Sequence, residues 1–117
     1  TLVNFGSGTI EYCRRNKVQL QAWGSLSQGL FSGKDVSSEA THIAETAELV
    51  GRLAAEYQVS REAIVLGFLM RHPAKIQPVI GTTNIERIKA CAQATQVELS
   101  REHWYALYLS ARGKALP

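Results

Sequence analysis

The sequence predicts an α/β chain organised around one βαβ unit. Three observations carry that expectation: two apolar runs with strand character, at about residues 18–23 and 76–80, a mainly helical connection between them, and a turn of small residues directly after each run. Strands joined by a helical connection of that kind run parallel, with a right-handed crossover. With 117 residues the chain is one domain's worth and can bury a single modest core.

Residues 8–16 form a short helical pattern, with Thr9 near its start and Ile10 and Cys13 on one face. Arg14, Arg15 and Lys17 gather at its end, where cations complement the helix dipole, the alternative being a nucleic-acid patch. In residues 18–23, Val18, Leu20 and Ala22 alternate with Gln19, Gln21 and Trp23, the period of a strand. The loop 24–33 (G-S-L-S-Q-G-L-F-S-G) lets backbone approach a ligand closely. Ser37 or Ser38 is placed to cap a helix ending near Tyr57, with Glu39 in its first turn. Its apolar stripe is Ile43, Ala47, Val50, Ala54 and Tyr57. Ser60 caps a second helix, apolar nearly all round (A-I-V-L-G-F-L-M), which must be buried on several sides before Pro73 ends it.

Residues 76–92 read I-Q-P-V-I-G-T-T-N-I-E-R-I-K-A-C-A. The apolar run stops at Gly81, Thr83 or Asn84 is the expected N-cap, and Ile85, Ile88 and Ala92 return at helical spacing. A helix start presents unpaired N–H groups and partial positive charge to an anion such as a phosphate. Arg87, in that first turn, can add a bidentate grip. Ser100 caps a last helix, with Trp104, Leu107, Tyr108 and Ala111 inward and Gly113 as its stop. In parallel α/β units ligands sit at the carboxyl ends of the strands, so the turns after Trp23 and Ile80 converge on one expected anion or nucleotide site.

The hydrophobic fraction of 45% and charged fraction of 20% are those of a soluble globular protein. No apolar run approaches the roughly 20 residues that span a bilayer, and T-L-V-N-F-G-S-G has no signal-peptide character. A cytoplasmic setting is therefore expected. The first residue is not Met, which suits a piece of a longer protein. A net charge of +3 and a pI near 9.1 favour anionic partners without selecting one. Cys13 and Cys91 lack metal-ligand or disulfide-framework spacing and are expected as small buried hydrophobes. His42, His72 and His103 are isolated and expected in surface or capping roles.

A-W-G-S-L-S-Q-G-L-F resembles the A-W-S-P-L-G-x-G-x-L turn after the penultimate barrel strand of aldo-keto reductases. H-P-A-K-I-Q-P-V-I-G-T-T-N-I-E-R-I resembles that family's last strand and following helix. The I-A…L-A-A-E-Y-Q-V-S-R-E-A-I-V-L-G-F-L stretch is similar to its crossover, and L-S-R-E-H-W-Y-A-L…A-R-G-K-A-L-P to the tail of its bacterial members. The resemblance implies a (β/α)8 TIM barrel of NADP-dependent carbonyl reductases. Since such barrels need roughly 250 residues, it makes residues 1–117 a single partial domain, the C-terminal third.

The resemblance assigns roles by position. Trp23 would stack on the nicotinamide ring. Gly24, Ser25, Leu26, Gln28, Gly29 and Leu30 would line the pyrophosphate loop, largely through backbone. Gly81, Thr82, Thr83 and Asn84 would lie along the adenosine phosphate, with Arg87 on the 2′-phosphate of NADP. Three departures stand out: Gly24-Ser25 replaces Ser-Pro, Gly81 replaces a Lys used by several members, and Ala90 and Cys91 replace the Glu and Asn that hold adenine in many. The family's proton donor, a Tyr tuned by Lys, Asp and His, belongs to preceding segments. Tyr12, Tyr57, Tyr105 and Tyr108 match no such position, so no catalytic residue is assigned and the chain alone is expected to be inactive. The expected partners are a nicotinamide dinucleotide and either a second copy or the missing part of the barrel, with no membrane and no metal.

Two other readings follow from the residues. The stretch L-A-A-E-Y-Q-V-S-R-E-A-I-V-L-G-F-L has the rhythm of a DNA-binding helix-turn-helix. Its second helix, however, offers only Arg61 and Glu62 as polar groups, whereas a recognition helix needs several. The other is an inactive structural fragment that folds only within a complex.

Overall fold

The computed structural model describes residues 8–113, the side chain of Gln28 excepted. The expectation about a signal peptide rests on residues 1–7 and the end of the tail resemblance on residues 114–117, all outside the described residues. The elements run α1 (Thr9–Arg15), β1 (Gln21–Ala22), a 3-10 turn (Ser27–Gly29), α2 (Thr41–Tyr57), α3 (Arg61–Arg71), β2 (Gln77–Pro78), α4 (Ile85–Ala92), a 3-10 turn (Gln93–Gln96) and α5 (Arg101–Arg112). The two strands pair in parallel, Gln21 opposite Gln77 and Ala22 opposite Pro78. The βαβ reading therefore holds.

Both strands are shorter than the apolar runs implied. Val18 is held by α1 instead: its N–H donates to Cys13 O at 2.8 Å, closing the helix end around Lys17 at φ 56°. Lys75, at φ 53°, bends the chain just before β2, and Pro78 has no N–H to extend a ladder. The ladder bonds that bracket the pairing are Gln77 N to Leu20 O at 2.9 Å and Val79 N to Ala22 O at 2.8 Å.

The centre of the fold is α3. One apolar cluster joins Val50, Leu53 and Ala54 of α2 to Ile64 of α3, Leu99, and Leu107 of α5. A second joins Ala63 and Leu66 of α3 to Cys91 and Ala94. The all-round apolar helix is thus buried on two faces, as its composition requires. Ser60 caps it through Ala63 N and also donates its hydroxyl to Ala90 O at 2.7 Å, tying α3 to α4.

Two further sequence expectations are corrected, at the start of α2 and on α5. Neither Ser37 nor Ser38 caps α2. Asp35 Oδ1 accepts from Ser37 N at 2.9 Å, and this turn delays the helix to Thr41, with Ala40 at the N-cap and Glu39 outside it. That hydrogen bond also holds the Asp35 carboxyl below its usual range. On α4, whose inward face the spacing left open, Ile85, Ile88 and Ala92 are exposed and Cys91 faces the core, packed with Ala63 and Leu66 of α3. On α5 Leu107 is buried, while Trp104 is half-buried and Tyr108 and Ala111 are exposed. Trp104 still anchors the helix: its indole N–H donates to Phe68 O at 2.9 Å, and its ring stacks between Phe68 and Tyr108.

A Cβ at Gly51, within α2, would come within 2.8 Å of the Arg61 guanidinium, the far end of a flexible side chain that donates to Ala47 O at 3.4 Å. Gly51→Ala is therefore expected to raise stability by about 0.5–1 kcal/mol, the usual gain for a helix interior, measured by chemical denaturation. His72 supplies a pH dependence. Its Nδ1 accepts from Ala74 N at 3.0 Å, and burial, aided by the Arg14 guanidinium and opposed by Glu11, pushes its pKa below 6.5. The unfolded chain then binds the proton more readily, so stability should fall as the pH drops below about 6.5 and level off below the folded pKa. His72→Gln should flatten that part of a stability–pH profile.

Candidate functional site at the carboxyl ends of the paired strands

At the carboxyl end of β1 the chain turns immediately. Gly24 takes φ 61°, open to glycine at little cost, and its carbonyl accepts from Ser27 N at 2.9 Å. Gly29 N to Leu26 O at 2.9 Å and Leu30 N to Ser27 O at 3.1 Å wind the next residues into the 3-10 turn. Trp23 stands at the strand end with 85% of its surface exposed. Leu26 points inward and packs with Ile80 on the second apolar cluster, so its side chain supports the loop. Gly29 and Leu30 are half-buried.

At the carboxyl end of β2, residues 81–84 have no regular structure and lead into α4. Thr82 Oγ1 accepts from Asn84 N, and Asn84 Oδ1 accepts from Arg87 N, both at 3.1 Å. Asn84, one of the two expected caps, is therefore the N-cap. This Asx-type cap leaves the other N–H groups of the first turn directed outward. Gly81, Thr83, Asn84 and Arg87 are exposed and Thr82 half-buried. Among the described residues no carboxylate lies within ion-pair distance of Arg87.

The two turns are linked at their base. Beside the rung from Val79 N to Ala22 O, the Ser25 hydroxyl donates to Val79 O at 3.2 Å. The two turns thus lie at one end of the sheet, with Trp23 and Arg87 on separate segments. Composition gave no sign of the Ser25 contact; the only signal was a serine where the resembled turn has proline.

Other candidate groups have structural roles. Tyr57 OH accepts from Ser100 N at 3.0 Å and shares a hydrogen bond with His103 Nδ1 at 2.7 Å, joining α2 to the start of α5. Cys13 and Cys91 are free and buried. Burial, helped by Glu62 and opposed by Arg87, pushes the Cys91 thiol up, which makes it a poor nucleophile. Among the described residues no cluster of His, Cys, Asp and Glu could hold a metal, and no helix is long and apolar enough to cross a membrane. A helix-turn-helix role is disfavoured by α3, whose Ala63, Ile64, Leu66 and Gly67 are buried rather than free for a groove. A 370 Å³ cavity at the amino ends of the strands is lined by Cys13, Arg14, Lys17, Gln19 and Lys75, with none of the expected site residues. A smaller one of 180 Å³ lies under the first turn, between Ser25, Ser27 and Phe31 and the apolar faces of α2, α3 and α5.

Comparison with known proteins agrees with this geometry. The profile of the Aldo/keto reductase family matches residues 3–108. A 6-dehydroglucose reductase of Agrobacterium fabrum is 38% identical over 94% of this chain and 35% of its own length. One of Novosphingobium aromaticivorans is 31% identical over 97% of the chain and 36% of its own length. The chain thus spans about a third of these relatives. The crystal structure of a thermostable aldo-keto reductase, Tm1743, in complex with the inhibitor epalrestat superimposes with a TM-score of 0.71 at 22% identity, over 88% of this chain and 33% of the other. Aldose reductase from Giardia lamblia gives 0.63 at 17%, over 95% and 34%. These likenesses show the fold, a helix-rich portion of a (β/α)8 barrel around two of its parallel strands. The chain belongs to the aldo/keto reductase family of oxidoreductases.

Proposed function

We propose that this chain is the cofactor-side, C-terminal third of a carbonyl reductase and that it holds NADP across the carboxyl ends of β1 and β2. The observation that carries the reading is the joining there of two open turns, one offering an exposed indole and the other a helix start with an exposed arginine. The residues suit a dinucleotide. A Cβ added at Gly24, Gly29 or Gly81 would meet no atom within 4 Å, so backbone on both sides is open to close approach. Trp23 presents a free ring face to a nicotinamide. Gly24, Ser25, Leu26, Gln28, Gly29 and Leu30 line the pyrophosphate through their backbone. Gly81, Thr82, Thr83 and Asn84 flank the adenosine phosphate at the positive end of α4. Arg87 has the planar donor fork that a 2′-phosphate favours. With Gly81 and Ala90 bearing no charge or amide, preference for NADP over NAD depends on Arg87.

Once bound, the nicotinamide supplies the hydride for carbonyl reduction. The developing alkoxide also needs a proton, and the donor comes from chain outside these residues. Titration of NADPH into the purified protein, followed by tryptophan fluorescence, should show saturable binding. Arg87→Ala should weaken it tenfold or more, as for the loss of a charged hydrogen bond, and change NADH binding little. Affinity weaker than millimolar, or an unchanged Kd in Arg87→Ala, would sink the assignment.

The apolar surface supports a second part of the proposal. Among the described residues β1 and β2 pair only with each other, and Val79, Ile85 and Ile88 are exposed nearby. Open strand edges beside apolar surface invite pairing. The remaining barrel strands, or a second copy, cover them. Light scattering on the 12.9 kDa chain alone should give a mass above the monomer, and a clean monomer would refute the association.

A further inference from the structure

We infer that Ser25 is a positioning residue: its hydroxyl replaces the next rung of the β1–β2 ladder and fixes the Trp23 turn relative to β2. The inference rests on the cofactor reading for its consequence, though not for its geometry. In a parallel ladder the bonds recur every two residues. Here they run from Gln77 N to Leu20 O and from Val79 N to Ala22 O. If β1 continued straight, the following bond would be donated by the backbone of residue 24 to Val79 O. The chain instead leaves the sheet at Gly24, at φ 61°. Ser25, half-buried, reaches back and donates its Oγ–H to that carbonyl at 3.2 Å. The hydroxyl thereby lets the chain turn while keeping the rung.

This contact crosses between the two segments that the cofactor would bridge. Val79 lies two residues before Gly81, and Ser25 lies two residues after Trp23. Ser25 therefore sets the spacing between the indole platform and the start of α4. Its neighbour Leu26 and the facing Ile80 pack on the same apolar cluster, so the turn is fixed by one polar and one apolar contact. The Gly24-Ser25 pair occupies the place of Ser-Pro in the resembled turn. A proline stiffens such a turn through its fixed φ, whereas here a hydrogen bond across the strands does so.

The experiment compares wild type, Ser25→Ala and Ser25→Thr in the purified protein. In the cofactor-free state the amides of Ser27 and Gly29, which close the turn, should exchange with solvent several-fold faster in Ser25→Ala and near the wild-type rate in Ser25→Thr. NADPH affinity should fall roughly 3–10-fold in Ser25→Ala, the range for one neutral hydrogen bond, and recover in Ser25→Thr. Unchanged exchange in cofactor-free Ser25→Ala would overturn the inference. If affinity falls while exchange is unchanged, the hydroxyl touches the cofactor directly and is no latch. If wild type does not bind NADPH, the cofactor reading fails, and the exchange rates alone still decide whether Ser25 holds the turn.

Discussion

Everything described in this chain depends on the burial of α3 on two sides. Ile64 is fully enclosed in one apolar cluster, and Ala63 in the other. α2 and α5 are held to the first face, and α4 with its following 3-10 turn to the second. Gly67 shows how close the second contact is: a Cβ there would lie 3.1 Å from Val97 Cγ1. Burial of this kind is worth about 25 cal/mol per Å² of apolar surface. Hydrogen bonds among the described residues act at single points, so the hydrophobic term sets where the strands and α4 lie.

Polar contacts then fix orientation at the junctions between packed elements. Ser60 serves α3 as N-cap and reaches the Ala90 carbonyl of α4, and its own N–H donates to Gln93 Oε1 at 2.7 Å. Tyr57 and Ser100 do the same between α2 and α5. Trp104 joins α5 to the Phe68 carbonyl, and Arg71 Nε of α3 donates to Leu99 O at 2.7 Å just before α5. Each of these groups satisfies a backbone or side-chain partner near a helix end, which is where unpaired N–H and C=O groups collect. The Ser25 contact belongs to the same class, placed at a strand end.

The site's electrostatics are simple by comparison. The nearest resolved ion pair, Lys89 with Glu86 at 3.7 Å, is largely solvent-exposed and contributes little. Arg87 is therefore the distinctive charge at the start of α4, added to the partial positive charge of the helix end. Under the proposed function, a cradle made of backbone, one aromatic face and one arginine would recognise a phosphate by geometry more than by net charge, in a chain whose overall charge is only +3.

The division between sequence and tertiary structure follows the range of the forces. Local signals were legible: the caps at Ser60 and Ser100, Asn84 as one of two candidate caps, the αL stop at Gly113, the enclosed character of α3 and the parallel order of the strands. Each depends on residues adjacent in the chain or on a strong compositional bias. The motif residues around Trp23 and Gly81 likewise sufficed to mark a family resemblance. What only the fold decided was which apolar residues find a partner. Ile85 and Ile88 have helical spacing yet lie exposed, since α3 offers its surface to Cys91 instead. The start of α2 was settled by Asp35 taking the Ser37 amide, a competition between two local hydrogen bonds that propensity does not rank. The link from Ser25 to Val79 joins residues far apart in sequence, and no periodicity within either run encodes a contact that exists only once the strands lie side by side.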